Sequence, residues 1–293
     1  MQTELLALRN DLEEVNATLE HLLQTKELEH VHLYEAARYA VLGPGKRIRP
    51  LLCLAATQLF GIPNSHALVP ASALELIHCY SLIHDDLPAM DNDDYRRGRP
   101  TLHKVYPEGH AILTGDYLLT YAFELLSNAP HLSAEKRINL VRILAEAAGG
   151  EGMVGGQVRD VSSEGKNLKL NDLEELHLRK TGRMFQAALL FGAVISDANE
   201  TNYQLLKEIG EKIGLAFQIH DDVIDVINSA QKHGYSVSSD QTNNKTTYVT
   251  LLGLDEARTA VDTLLQETKT LFEKLPANQE KLKTILHRAF SIK

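Results

Sequence analysis

Residues 82–94 read Leu82-Ile83-His84-Asp85-Asp86-Leu87-Pro88-Ala89-Met90-Asp91-Asn92-Asp93-Asp94, an acidic cluster at the end of an apolar helical stretch that starts near residue 71. Pro88 disfavours helix at the residue before it, so this helix is predicted to end near Asp86. A second acidic cluster, Gln218-Ile219-His220-Asp221-Asp222-Val223-Ile224-Asp225, continues another apolar helical stretch. Helical spacing places its four polar side chains along one side of that helix: Gln218, Asp221, Asp222 and Asp225.

The two acidic clusters predict a site for divalent cations. A carboxylate at a helix C-terminus faces the negative end of the helix dipole, which costs about 0.3–1 kcal/mol and favours a cation nearby. Hard oxygen ligands suit Mg²⁺, which shares its coordination sphere with phosphate oxygens and water. A solvated acidic surface is the alternative for either cluster alone. An EF-hand at residues 91–102 is excluded, because Arg96 stands where glycine is needed and Leu102 where glutamate is needed.

Composition predicts an all-α chain that forms one domain over residues 1–293. The sequence is rich in Leu, Ala, Glu and Lys, lacks Trp and shows no period-two segments, all of which favours helices. The formal net charge of −9 argues against nucleic acid as a partner, because binding to a phosphate backbone needs a basic surface.

Several features predict a cytoplasmic protein without stable membrane insertion. The amphipathic N-terminal stretch is predicted to be a packing helix rather than a signal peptide. The longest apolar stretch, residues 187–195, is about half as long as a membrane-spanning helix. Cys53 and Cys79 lie in apolar helical stretches, where we expect free thiols in a reducing compartment.

Two basic turns accompany the acidic clusters. Arg96, Arg97 and Arg99 directly follow the first cluster, and their guanidinium groups can grip phosphate oxygens. Residues 43–50 read Gly-Pro-Gly-Lys-Arg-Ile-Arg-Pro, a turn able to hold a second diphosphate without metal, although a solubilising surface loop is the alternative.

Three further stretches concern the site less directly. Residues 149–157 are rich in glycine but lack the Lys-Ser or Lys-Thr of a P-loop, so close helix packing is predicted. Asn171 and Glu174 are predicted to form a capping box at the start of a long helix that carries Lys180 and Thr181. Residues 235–245 are polar and aperiodic and are predicted to form a surface loop with Lys245 at its edge.

Together these motifs resemble the trans-prenyltransferase (polyprenyl synthetase) family, and within it the bacterial farnesyl diphosphate synthases. The resemblance runs from about residue 34 to residue 254. Its most specific parts are Asp-Asp-x4-Asp at Asp85, Asp86 and Asp91, and Asp-Asp-x2-Asp at Asp221, Asp222 and Asp225. Gly45-Lys46-Arg47, Arg96-Arg97-Gly98 and Lys180-Thr181-Gly182 support it. The resemblance implies a single-domain bundle of about ten or more helices around a central active-site cavity, as in isoprenoid synthases, and a homodimer.

The resemblance also implies a role for each motif residue. Asp85, Asp91 and Asp221 would ligate three Mg²⁺ ions, with Asp86, Asp222 and Asp225 in support. The allylic diphosphate would contact Arg96, Lys180, Thr181, Gln218 and Lys245. Isopentenyl diphosphate would contact Lys46, Arg49, His78 and Arg97, although a lone helical histidine is more often structural. Asn243-Asn244 before Lys245, and Pro44 in the first turn, depart from the family pattern.

The implied reaction is ionisation of an allylic diphosphate, attack by isopentenyl diphosphate on the cation, and loss of a proton to the departing diphosphate. Ser81 lies four residues before Asp85, roughly 5–6 Å deeper on the same helix face, so Ser81 and Tyr80 are expected to line the tunnel for the prenyl tail. Similar enzymes limit product length there, and an aromatic residue at position 80 implies farnesyl diphosphate.

Three other functions are weighed against this one. A geranylgeranyl diphosphate synthase shares every charged residue and differs in tunnel depth. A non-catalytic regulatory subunit of a prenyl synthase is a second possibility, but such subunits commonly lose aspartates that this chain retains. A terpene cyclase needs no second diphosphate site, so the Gly45-Lys46-Arg47 turn speaks against it.

Overall fold

The computed structural model describes residues 2–231, 245–276 and 279–291. The first half contains α1 (Gln2–Leu22), a 3₁₀ turn (Leu28–His30), α2 (Val31–Val41), α3 (Ile48–Gln58), a 3₁₀ turn (Asn64–His66), α4 (Leu68–Asp85), β1 (Tyr95–Arg96), β2 (Arg99–Pro100), α5 (Leu102–Val105), α6 (Glu108–Ser127) and α7 (Ala134–Ala148). The second half contains α8 (Met153–Ser162), α9 (Leu170–His177), a π-helical segment (Leu178–Gly182), α10 (Arg183–Ile195), α11 (Glu200–Gln231), α12 (Tyr248–Leu252), α13 (Leu254–Phe272) and α14 (Glu280–Phe290). The prediction of an all-α fold is confirmed.

Helix α10 lies at the centre of the main hydrophobic core. It packs against α3, α7 and α11, and Phe185 and Phe191 are fully buried. Gly192 allows α10 to approach α3, because a Cβ at this position would collide with Ala56. The apolar stretch 187–195 is therefore a buried core helix, and no helix in the described part of the chain combines the length and apolarity that a bilayer crossing requires.

Residues from distant parts of the chain share the larger of two core clusters. That cluster contains Leu8 of α1 and Ala289 of α14, and the predicted N-terminal packing helix accordingly buries Val15 and Leu19. The smaller cluster joins Leu173 of α9 to residues of α11, α12 and α13. On this basis we propose that the chain forms one domain.

The first acidic stretch follows the predicted local structure. Helix α4 ends at Asp85, and Asp86 is its C-terminal cap, as Pro88 predicts. The basic residues that follow form a short antiparallel hairpin in which Tyr95 pairs with Pro100 and Arg96 with Arg99. Arg97 and Gly98 have φ angles of 54° and 77° at its turn, and glycine adopts this left-handed conformation at little cost.

The predicted capping box at Asn171 is wrong. Helix α9 begins one residue earlier, at Leu170, and Lys169 occupies the cap position with no side-chain hydrogen bond. Asn171 therefore lies inside the first turn, and the carboxylate of Glu174 accepts a hydrogen bond from Tyr248 Oη at 2.6 Å. The predicted long helix does continue to Ile195, but its hydrogen-bonding pattern changes to π-helical at Leu178–Gly182.

Candidate active site

The end of α4 brings the first motif's aspartates together. The backbone N–H of Asp91 donates to the carbonyl of Asp85 at 2.9 Å, which folds the chain back beside the helix end. Burial raises the pKa of Asp85, an effect that Lys180 opposes and the Asp91 carboxylate reinforces. A partly buried carboxylate beside another carboxylate is stabilised by a cation, so this end of α4 favours metal binding.

Arg96 forms an ion pair with Asp86, the second aspartate of this motif. Its guanidinium donates to Asp86 Oδ1 at 2.6 Å and lies 3.5 Å from Asp93 Oδ2. Burial nevertheless raises the pKa of Asp86 to about 6. Arg96 is expected to contact the allylic diphosphate, and its side chain is 32% exposed, so it remains accessible on the hairpin beside the motif.

Lys180 and Lys245 converge on a single buried carboxylate, that of Asp160. Lys180 Nζ lies 2.6 Å from Asp160 Oδ2, and Lys245 Nζ lies 3.3 Å from the same oxygen. Lys245 also lies 3.4 Å from Asp91 Oδ1 of the first motif. Burial alone would raise the pKa of Asp160, but the two lysines hold it below its usual value. Lys245 therefore reaches the site; Asn243 and Asn244, and the rest of the predicted loop before it, lie outside the described residues.

Asp160 was not among the residues predicted from the sequence. It lies four residues after Gly156 on α8, and a Cβ at Gly156 would collide with the backbone of Lys180. The glycine thus lets α8 touch the π-helical segment, which is the close helix packing predicted for residues 149–157. Asp160 could have been found as the acidic residue one helical turn beyond this packing glycine.

The π-helical segment links the two acidic motifs. Lys180 lies within electrostatic range of Asp85, and the next residue, Thr181, donates its hydroxyl to Gln218 Oε1 at 2.9 Å. Gln218 lies three residues before Asp221 on α11. The segment Leu178–Gly182 therefore contacts the second motif through Thr181 and is connected to the first through Lys180, Asp160 and Lys245.

The second motif separates its two adjacent aspartates. Burial raises the pKa of Asp221 to about 7, and the neighbouring carboxylates of Asp225 and Asp222 add to the effect. Asp222 Oδ2 instead accepts from the backbone N–H of Tyr248 at 2.9 Å. The prediction that four acceptors converge on one side is therefore wrong for Asp222, because consecutive helical residues point about 100° apart.

Three of the four residues predicted to bind isopentenyl diphosphate lie close together. Arg97 donates to the carbonyl of Pro44 at 3.0 Å, and its other amino group lies 3.4 Å from His78 Nε2. Burial, followed by the charges of Arg49 and Arg97, holds the pKa of His78 well below its usual value, so its imidazole is neutral. Arg49 stacks on Phe185 at 4.7 Å, and burial lowers its pKa to about 10.

The fourth residue of this set points elsewhere, and its neighbour is structural. Lys46 Nζ donates to the carbonyl of Ala289 at the end of α14, at 3.0 Å. Arg47 forms a buried ion pair with Glu75 at 2.8 Å and also donates to the carbonyl of Gly43. The turn at residues 43–50 is thus held in place by Arg47.

The two residues expected to set product length differ in their surroundings. Tyr80 is buried and makes an edge-to-face contact with His84, whose ring approaches the carbonyl of Ile112 on α6 at 3.1 Å. Ser81 is partly exposed and donates its hydroxyl to the carbonyl of His78 at 2.9 Å. Their role in product length stays a prediction.

The carboxylates fit Mg²⁺ that shares its ligands with a phosphate group. Within the described ranges, no three His, Cys, Asp or Glu side chains converge closely enough to hold a metal unaided. Asp85 and Asp221 are nevertheless partly buried carboxylates with raised pKa values. Mg²⁺ keeps several waters and is commonly held by one or two carboxylates plus substrate phosphates, which is the donor set available here.

Comparison with known proteins places the same motifs in one family. The family model described as polyprenyl synthetase matches residues 30–288, a longer span than the residues that carry the sequence resemblance. Farnesyl diphosphate synthase of Micrococcus luteus is 44% identical over 287 residues, which cover 98% of this chain and 97% of that protein. A chloroplastic geranylgeranyl pyrophosphate synthase of Catharanthus roseus is 43% identical over 257 residues, 87% of this chain and 71% of that protein.

Solved structures share the fold along nearly the whole chain. Geranyltransferase from Helicobacter pylori, in a crystal structure complexed with magnesium and isoprenyl diphosphate, superposes with a TM-score of 0.87 at 36% identity. The superposition covers 98% of this chain and 97% of that one.

Proposed function

The chain belongs to the polyprenyl synthetase family, and from this premise we propose that it condenses isopentenyl diphosphate with dimethylallyl and geranyl diphosphate to give farnesyl diphosphate. It is a prenyltransferase. The observation that carries the proposal is the position of Leu178–Gly182: Thr181 binds Gln218 of the second motif, and Lys180 shares the Asp160 carboxylate with Lys245, which lies 3.4 Å from Asp91 of the first. A diphosphate at this point has carboxylates for its metal ions on two sides and lysines beside it.

Ionisation of the allylic diphosphate develops negative charge on the leaving group. Lys180 and Lys245 are held near this position by Asp160, and Arg96 is held by Asp86. Cations that are already held in position before the reaction stabilise the developing charge, because the site does not have to reorganise. Bound Mg²⁺ supplies further charge neutralisation at the leaving group, and Asp85, Asp91 and Asp221 are the residues that we propose as its ligands.

Condensation needs the second substrate beside the cation. Arg49, His78 and Arg97 form the proposed site for isopentenyl diphosphate, with Lys46 as its fourth member once it leaves the carbonyl of Ala289. The neutral imidazole of His78 can donate or accept a hydrogen bond but adds no charge. The proton is then lost to the departing diphosphate, so no protein base is required.

Three finer points belong to the same proposal. We propose three Mg²⁺ ions for each active site. We also propose a homodimer, which the resemblance to the family implies. A cytoplasmic location is supported by Cys53 and Cys79, which are free thiols.

Geranylgeranyl diphosphate is the alternative product, since one relative at 43% identity is a geranylgeranyl pyrophosphate synthase. A non-catalytic subunit is disfavoured by the retention of both aspartate motifs. The test is incubation of the protein with labelled isopentenyl diphosphate and geranyl diphosphate, with Mg²⁺ or with excess chelator, followed by chromatography of the products. Farnesyl diphosphate that forms only with Mg²⁺ supports the proposal; absence of any prenyl product refutes it.

A further inference from the structure

The chain that follows Lys245 is fixed at three consecutive residues. Thr246 Oγ1 donates to the carbonyl of Lys166 at 2.8 Å and accepts from the N–H of Leu168 at 3.3 Å. Thr247 caps α12 through a reciprocal capping box with Thr250. Each of these contacts orders the backbone on one side of Lys245, so the placement of its ammonium group depends on how α12 is held.

Tyr248 holds α12 against two other helices. Its side chain is buried, with 2% of the residue exposed. Its backbone N–H donates to Asp222 Oδ2 on α11 at 2.9 Å, and its hydroxyl donates to Glu174 Oε1 on α9 at 2.6 Å. A hydrogen bond to a carboxylate is among the stronger ones in proteins, so Tyr248 is tied to both helices.

The ring of Tyr248 also packs on the helix that carries the other lysine. It stacks on His177, with ring centroids 5.8 Å apart and planes inclined by 21°. Within the part of the chain that the structure describes, neither ring nitrogen of His177 has a hydrogen-bond partner, and Asp222 Oδ2 lies 3.7 Å away. The contact between His177 and Tyr248 is therefore stacking of the two rings and not a hydrogen bond.

The two stacked residues lie at equal separations along the sequence from the two lysines. His177 precedes Lys180 by three residues, and Tyr248 follows Lys245 by three residues. Both lysines then reach the same oxygen of Asp160. The His177–Tyr248 pair thus joins the two chain segments whose ammonium groups must converge.

We propose that Tyr248 is a positioning residue that sets Lys180 and Lys245 together for the allylic diphosphate. This inference rests on the proposed function, because it assigns the lysine pair to that substrate. Tyr248 acts through the lysines and touches no reacting atom. Its bond to Glu174 fixes the ring against His177, and a fixed pair of cations binds diphosphate more tightly than a mobile pair, since less motion is lost on binding.

Tyr248→Phe tests the role of the hydroxyl while keeping the ring and the backbone N–H. We expect the Kd of pyrophosphate in the presence of Mg²⁺ and the KM of geranyl diphosphate to rise about tenfold, as for loss of one hydrogen bond to a charged group. The KM of isopentenyl diphosphate should stay within about twofold, because its proposed residues make no contact with Tyr248. Tyr203→Phe, at a partly buried tyrosine on α11, is the matched control and should change neither constant.

Substitutions at Glu174 test the same hydrogen bond from its acceptor side. Glu174→Gln retains an oxygen that can accept from the Tyr248 hydroxyl and should stay close to wild type, whereas Glu174→Ala should match Tyr248→Phe. Combining Glu174→Ala with Tyr248→Phe should add little, because both remove the same bond. A purely structural role would instead raise the KM of both substrates together with a lower melting temperature.

The outcomes separate this inference from the proposed function. Unchanged pyrophosphate affinity in Tyr248→Phe, or an equal rise in both KM values, overturns the inference even if wild type makes farnesyl diphosphate. Weaker pyrophosphate binding in the variant supports it even if wild type makes no product, which would refute only the reaction. Wild type that binds no pyrophosphate with Mg²⁺ overturns the inference outright.

Discussion

Replacing Lys180 by methionine removes one cation at the proposed leaving group while keeping the length of the side chain. Lys180 Nζ lies 2.6 Å from Asp160 Oδ2, and its side chain is 25% exposed. Removing one preorganised donor to a developing oxyanion typically costs about 2.7–4 kcal/mol of transition-state stabilisation. We therefore expect kcat with geranyl and isopentenyl diphosphates to fall by about 10²–10³-fold, measured by steady-state release of pyrophosphate.

Lys212 offers a closely matched control. Its Nζ lies 2.7 Å from Glu267 Oε2, and its side chain is also 25% exposed. Loss of the Lys212–Glu267 pair costs at most about 1 kcal/mol, whereas Lys180→Met leaves the buried Asp160 carboxylate with Lys245 as its remaining lysine, so this variant should unfold at a lower temperature than Lys212→Met, and kcat is compared below both transitions. Only Lys180→Met should lose kcat. The reasoning fails if Lys180→Met keeps kcat within about twofold of wild type, or if Lys212→Met loses as much.

Three further predictions concern product length, stability and metal. Ser81→Phe should shorten the tunnel and yield mainly geranyl diphosphate, whereas Tyr80→Ala should admit longer chains; unchanged product chromatograms in both would show that these side chains do not bound the tunnel. Arg47→Met should lower the unfolding free energy by about 3–5 kcal/mol in denaturant titrations, because it leaves Glu75 buried without its ion pair, and the exposed-pair control Arg38→Met should lose under about 1 kcal/mol. Excess chelator should abolish prenyl transfer and added Mg²⁺ should restore it, whereas activity that survives chelation would contradict the proposed role of the aspartates.

Much of the fold could be predicted, and a metal site could be proposed, because both depend on local patterns. Apolar helical stretches gave the all-α class, and Pro88 located the end of α4 within one residue. The two aspartate motifs are similarly local, since four or fewer intervening residues define each spacing. Such features can be predicted from the sequence without knowing which helices are in contact.

Features that arise from contacts between distant segments could not be predicted in the same way. Asp160 acquires its role only when Gly156 lets α8 approach Lys180; its place one helical turn after that glycine marks it as a candidate, but the sequence does not show which lysines it contacts. Asp222 belongs to a motif by spacing but faces Tyr248, more than twenty residues later. The predicted capping box at Asn171 was wrong because the helix begins at Leu170, and Glu174 instead bonds to Tyr248 in a distant segment.

The basic turn at residues 43–50 combines both cases. Its charge predicts phosphate binding, and for Arg49, whose guanidinium stacks on Phe185, that role stays a prediction. Arg47 forms an ion pair with the buried Glu75, and Lys46 donates a hydrogen bond to the carbonyl of Ala289. A linear pattern of charges does not reveal these contacts.

The account depends on Asp85 and Asp221 serving one metal-bridged diphosphate. Calorimetric titration of pyrophosphate with Mg²⁺ into wild type, Asp85→Asn, Asp221→Asn and the double variant tests this directly. Carboxylates that share a ligand should be strongly non-additive, so each single variant should lose nearly as much affinity as the double. Additive losses, or binding that persists without Mg²⁺, would show that the two motifs do not act on the same group.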